Sequence, residues 1–139
     1  MASDSQKAVR IEADAWSQEA ADWLSEAVRP QHLVGLQHQV EQGIAVLFYV
    51  WLQDELCGAF VLRIDQNGPV QEGVICAAAG DLKGFDLMAT ILPVIEAKFS
   101  GCLAVRYHTS NPAVARKMAR HGYGADEIVC RKGIANGQQ

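Results

Sequence analysis

Three groups of residues in this chain have types and spacings suited to chemistry. The first is Glu72, within VQEGVICAA. Strand alternation places Glu72, Val74 and Cys76 on one face. If that face is buried, desolvation raises the carboxyl toward a useful general-base value; near a wet strand end the same residue is an ordinary surface acid. The second group is Tyr107 and His108, closing CLAVRYHT. Sites in open α/β sheets form at the carboxyl ends of parallel strands, which makes His108 the histidine best placed to act. His32 and His38 fall on a half-apolar helix, where packing or solvation is the expected role. The third group is the turn Ala79-Gly80-Asp81-Leu82-Lys83-Gly84-Phe85-Asp86. Its glycines permit close backbone approach, Lys83 can neutralise a phosphate, and amides at a following helix start can face an anion. Asp81 and Asp86 oppose this, because a carboxylate at a helix start repels a second anion. Asp86 therefore also reads as an ordinary N-cap.

The elements that must position these groups follow from periodicity. KAVRIEA reads as a first strand, with Val9 and Ile11 on one side. Trp16, Ala20, Trp23, Leu24 and Ala27 recur at helical spacing up to about Val28. Pro30 suits the first turn of a second helix carrying Leu33, Leu36, Gln37 and Val40, closed by Gly43. IAVLFYVWLQ and LCGAFVLRID form a hairpin whose Asp54-Glu55 tip lacks the glycine of tight primed turns, so a loop longer than two residues is expected. QNGP turns the chain into VQEGVICAA. Phe85, Met88, Ile91, Leu92, Ile95 and Phe99 mark a third helix, which Pro93 should bend. CLAVRYHT is a strand, Asn111 to Tyr123 a fourth helix with Asn111 as cap, Pro112 at its first position and Gly122 as stop, and ADEIVCRK a last strand. In that last helix Val114, Met118 and Ala115 make the apolar stripe; Arg116, Lys117 and Arg120 make a basic face, solvated or contacting an anion. The order is β-α-α-β-β-β-α-β-α-β, an α/β (α+β) protein.

A chain of 139 residues that is 50% hydrophobic and 20% charged can close one core. A single domain over residues 1–139 is expected, with 133–139 a frayed tail. The net charge of −4 and the lack of Lys/Arg runs supply no footprint for nucleic acid or an anionic membrane. MASDSQKAVR has no apolar core of a leader, and no apolar run approaches a bilayer span, so a cytoplasmic protein is expected. Cys57, Cys76, Cys102 and Cys130 lie far apart without a CxxC, which favours reduced thiols over a disulfide or zinc site; no metal is expected. The first two helices and the hairpin show no charge cluster that would define a substrate, and an exposed side of LCGAFVLRID offers a surface for a homodimer.

The element order and the C-terminal half resemble the GNAT superfamily of N-acetyltransferases. The topology covers nearly the whole chain, and the motifs cover about residues 70 to 130. In that family a strand passes through a pyrophosphate-binding turn, Q/R-x-x-G-x-G/A, into a helix, and a later helix reads N-x-x-A-x-x-x-Y-x-x-x-G-F. Asn111, Gly122 and Tyr123 match the later motif. Val114 replaces its alanine, and Met118 replaces the tyrosine that protonates the departing thiolate; a thioether has no such proton. Lys83-Gly84-Phe85-Asp86 matches the turn in its first half, with Asp86 at the final small position. The resemblance implies a GNAT-like mixed, mostly antiparallel sheet of about six strands with helices on both faces. It implies acetyl-CoA held by Cys76, Ala77, Ala78, Lys83, Gly84 and Asn111, and transfer to a small-molecule or protein amine. Glu72 or His108 would take the amine proton, with Tyr107 or water as acid. A second reading is a GNAT-fold binding or structural protein without activity, similar to some bacteriophage-encoded GNAT-like proteins; Asp86 and Met118 point that way.

Overall fold

The computed structural model describes residues 9–109, 111–125 and 132. Five strands in it form one sheet in the order β1 to β5: β1 (Val9–Ala13), β2 (Ala45–Leu52), β3 (Glu55–Asn67), β4 (Val70–Gly80) and β5 (Ala104–Tyr107). The first three pairings are antiparallel and the β4–β5 pairing is parallel. Four helices are described: α1 (Gln18–Leu24), α2 (Pro30–Glu41), α3 (Leu87–Lys98) and α4 (Pro112–Ala119). This is the mixed, mostly antiparallel architecture expected. The expected last strand, ADEIVCRK, falls almost wholly outside the described residues. The chain divides into two compact units, one ending at His108 and one beginning at Thr109.

In the first unit, helices α1 and α2 cover one face of the sheet. Ala20, Leu24 and Leu36 pack there against Leu47, Tyr49, Ala59, Val61 and Ala77. Their burial is the hydrophobic term that holds the layers together. Helix α1 is shorter than its periodicity suggests. Ser17 caps it by accepting the Ala20 N–H, it ends at Leu24, and Ala27 is exposed. Tyr49 fixes that entry, its hydroxyl lying within hydrogen-bond distance of Ala15 O and Ser17 Oγ.

Helix α3 belongs to the opposite face. Met88, Ile91, Leu92, Ile95 and Phe99 are buried, and the helix runs through Pro93 without ending. Phe85, expected on this stripe, instead precedes the cap and is 49% exposed. The Phe99 ring lies directly over Gly73 of β4, where an added Cβ would meet ring carbons at 2.3 Å, so only glycine fits. Lys98 sits over the Phe48 ring, itself stacked on Phe60.

The hairpin differs from expectation by one residue. Its tip is Gln53-Asp54, and Leu52 pairs with Glu55. Two residues suffice without glycine because Gln53 takes the left-handed conformation, φ 56°. In the second unit, α4 begins as expected: Asn111 Oδ1 accepts the Ala113 N–H at 2.9 Å, Pro112 follows, and Gly122, at φ 90°, lies just past the end. Met118 is buried, Val114 half-buried and Ala115 exposed. The thiols of Cys57, Cys76 and Cys102 are free; Cys57 is buried and the other two half-buried.

Candidate functional site

The site is organised by irregularities in β4. Val61 pairs with Ala77 and Leu62 with Ile75, which leaves Cys76 as an extra residue in β4, a β-bulge. The parallel ladder to β5 runs from Glu72↔Ala104 to Ile75↔Tyr107. Beyond the bulge, β4 continues to Gly80 paired only with β3 among the described residues. Cys76, Ala77 and Ala78 therefore lie past the end of the parallel ladder, with Ala77 and Ala78 buried, and Tyr107 is the last residue of β5 paired with β4. Bulges of this kind terminate pairing and re-aim a strand.

Below the opening, on the face covered by α1 and α2, lies a charge network. Arg63 Nε donates to Asp65 Oδ1 at 2.6 Å, and its two terminal nitrogens reach Asp65 Oδ2 at 3.2 Å and Gln39 Oε1 of α2 at 3.0 Å. Arg106 of β5 donates to Asp65 Oδ2 at 2.6 Å. Its Nε stands 2.8 Å from Glu72 Oε1, yet this buried N–H is not aimed at the oxygen, so the contact is an ion pair and not an aligned hydrogen bond. A third guanidinium nitrogen lies 3.4 Å from His108 Nε2. Arg63, Asp65, Glu72 and Arg106 line an open cavity of about 350 Å³ with Gln66 and Asn67, bounded by the exposed side chains Ile44 and Ile64.

Electrostatics follow from these contacts. Hydrogen bonds from Arg63 hold the Asp65 carboxyl below the usual carboxylate range, and Asp65 in turn pushes the Arg63 guanidinium up. Burial raises the Cys76 thiol, and it raises the Tyr107 phenol, which stays protonated well above neutral pH.

Glu72 and His108 are thus brought together, each against Arg106. Register and alternation put Tyr107 on the other face, with Ile75. Asn111 belongs to the second unit, where it caps α4. Sequence reasoning missed Arg63, Asp65 and Arg106. The expectation that the hairpin carries no charge cluster is corrected by β3, whose Arg63 and Asp65 share a face. The signal was there in the i, i+2 spacing of opposite charges, but their partners lie on other strands.

Above the opening, the glycine turn is closed on itself. Lys83 and Gly84 both adopt left-handed conformations, φ 56° and 101°, and bring Phe85 N–H to Leu82 O at 3.3 Å. The Asp81 N–H donates to Cys57 O at 2.8 Å, and Asp81 Oδ1 accepts the Lys83 N–H at 2.9 Å. Asp86 Oδ1 accepts the Met88 and Ala89 N–H groups at 3.0 and 3.4 Å, so it is the N-cap of α3. The Lys83 ammonium pairs with Glu55 at 3.6 Å. Among the described residues, no His, Cys, Asp or Glu group is gathered to hold a metal ion, and no helix is long and apolar enough to cross a membrane.

Solved structures share this architecture. The chain is similar to a ribosomal-protein-alanine N-acetyltransferase from Brucella melitensis biovar Abortus 2308, at 18% identity and a TM-score of 0.69 over 91% of this chain and 100% of that one. It is also similar to glucosamine-6-phosphate N-acetyltransferase from Arabidopsis thaliana, at 11% identity and a TM-score of 0.62 over 89% and 98%. A transcriptional regulator from Bacillus halodurans C-125 matches at 13% identity and a TM-score of 0.70 over 91% and 99%. No protein-family model and no curated protein matches the sequence.

Proposed function

We propose that this chain, which has the GNAT acetyltransferase fold, is an N-acyltransferase moving an acyl group from a thioester to an amine. The observation that carries the reading is the opening of the sheet past Ile75↔Tyr107, where the backbone edge of Cys76 to Ala78 faces away from β3. Such an edge can bond the amides of an extended thioester arm as another strand would, and an amide beside the bulge can polarise the acyl carbonyl.

Acetyl-CoA is the donor that the fold suggests, and its two ends meet different surroundings. The neutral arm fits the open edge of β4. The diphosphate does not fit the turn: the amides of Asp81, Lys83, Phe85, Met88 and Ala89 already have partners within the chain, and Asp81 and Asp86 hold negative charge there. Lys83 and Gly84 consequently shape the turn more than they supply a phosphate cradle.

The chain's own groups take defined parts. The cavity lined by Glu72 and Arg106 receives the amine, with Ile44 and Ile64 offering apolar contact. Glu72, paired to Arg106 through one oxygen, accepts the amine proton through water, with His108 beside it on the same guanidinium. Tyr107, protonated and last before the opening, is the donor in place of a tyrosine at position 118. In sum, amine and thioester give amide and thiol: the nitrogen proton passes to Glu72, the sulfur receives its proton from Tyr107, and exchange with solvent returns Glu72 to carboxylate and Tyr107 to phenol.

The test is mass-spectrometric detection of acylated amine when the protein is incubated with an acetyl thioester and a set of primary amines. Glu72→Gln should slow transfer by about 10²-fold while leaving donor binding intact. Equal rates in the two proteins would remove Glu72 from the mechanism. No transfer and no thioester binding would leave a GNAT-fold binding module.

A further inference from the structure

Resting on the acyltransferase reading, we infer that this chain discriminates against the diphosphate end of its donor. It accepts acyl thioesters by their neutral arm, and Asp81, Asp86 and Glu55 set that selectivity. Three observations converge. Helix N-termini bind phosphate because orphan N–H groups face outward. Here the N–H groups of Met88 and Ala89 point into the Asp86 carboxylate. The turn's own cation, Lys83, has its ammonium against Glu55 of the β2–β3 hairpin and its backbone N–H on Asp81. Finally, the turn is locked from below by the bond from Asp81 N–H to Cys57 O, so it cannot release its amides without giving up a contact to β3.

An arriving diphosphate would meet a turn whose amides are taken by Asp81 and Asp86 and whose lysine is already paired with Glu55. Like charges a few ångströms apart repel at this exposure, and salt screens that repulsion. The neutral arm of the donor meets none of this. On this reading the edge of β4 past Ile75 offers backbone donors and acceptors, and charge has no part in that recognition. Substrate choice at this site is therefore a matter of the carrier: an acyl group on a short or uncharged thioester serves better than one on a nucleotide carrier.

The experiment compares acetyl-CoA with S-acetylpantetheine, which carries the same thioester arm without phosphates. Binding is read by calorimetry and thermal shift, and transfer by kcat/KM. In the native protein at low salt S-acetylpantetheine should bind and react about threefold or more better than acetyl-CoA. Raising the salt from low to moderate should strengthen acetyl-CoA binding and leave S-acetylpantetheine unchanged, the reverse of the weakening expected where cations hold a phosphate. The variant Asp81→Asn/Asp86→Asn keeps both carbonyl-type acceptors, hence the turn and the cap, while removing two charges. It should gain on the order of tenfold for acetyl-CoA alone. A native preference for acetyl-CoA over S-acetylpantetheine would overturn the inference and leave the acyltransferase reading standing. So would acetyl-CoA binding that weakens with salt. If neither thioester binds at millimolar concentration, the acyltransferase reading falls and the inference falls with it. The salt series uses the native protein, so the answer does not depend on the variant folding.

Discussion

The two ends of β4 treat charge in opposite ways. Around Glu72, at the paired end, two guanidiniums stand against two carboxylates, and Asp65 serves both arginines. Around Gly80, at the open end, Asp81, Asp86 and Glu55 stand against Lys83. The paired end spans three strands and α2, so its charges are half-buried and fixed by neighbours. The open end is a surface turn whose carboxylates are spent on its own amides. Neutral ion networks suit a small polar ligand, whereas a turn with excess carboxylate disfavours an anion. Under the acyltransferase reading proposed above, the same strand presents a substrate cavity at one end and a barrier to phosphate at the other, with the thioester edge between.

That contrast can be broken or sharpened by substitution. The largest effect is expected at Gly73→Val, which forces side-chain atoms into the Phe99 ring and should cost about 3 kcal/mol or more. A thermal denaturation midpoint unchanged from the native protein would show that β4 and α3 are not locked at the paired end.

Next comes Asp65→Ala, which leaves Arg63 and Arg106 half-buried without their shared acceptor. Discounted for solvent screening at about one-third exposure, the loss should be about 1–2 kcal/mol by denaturant titration. Because the folded carboxyl is held low, the stability it contributes is complete above the unfolded carboxylate value and drains as pH falls through the folded one. The native protein should therefore lose this component below about pH 4, and the variant should not show that loss. Superimposable stability profiles through that range would argue that the network contributes nothing.

At the open end the effects are smaller. Asp86→Ala should lose about 1 kcal/mol with the cap of α3, while Asp86→Asn should stay within a few tenths of the native protein. If both lose equally, charge and not capping is the stabilising property of Asp86. Below the Asp86→Ala loss and opposite in sign is Lys83→Gly, which relieves a left-handed non-glycine residue and should gain about 0.5–1 kcal/mol. A loss there would give the exposed pair with Glu55 more weight than such pairs ordinarily carry.

Much of this was legible before the fold. Asp86 and Asn111 read as caps because a cap is decided within three residues, and both side chains accept the expected N–H groups. The strand faces of β2 and β3 follow from alternation, and the core residues of α3 from helical spacing. The errors were local as well. Gln53 could close the hairpin because a non-glycine residue took the left-handed conformation at modest cost, and α1 ended at Leu24, short of the Val28 its periodicity suggests.

The sequence by itself determined the elements found among the described residues, their order, the caps and the identity of Glu72 and His108 as candidates, since these depend on interactions within a turn or a strand repeat. Only the tertiary structure decided which charges meet. Arg106 reaches Asp65 across 41 residues, and an i, i+2 pattern in β3 says nothing about a guanidinium arriving on β5. The bulge at Cys76 and the opening beyond Ile75↔Tyr107 are likewise properties of register, fixed when three strands pack between two layers of helices. Register depends on the sum of many distant contacts, and no short stretch of chain encodes it.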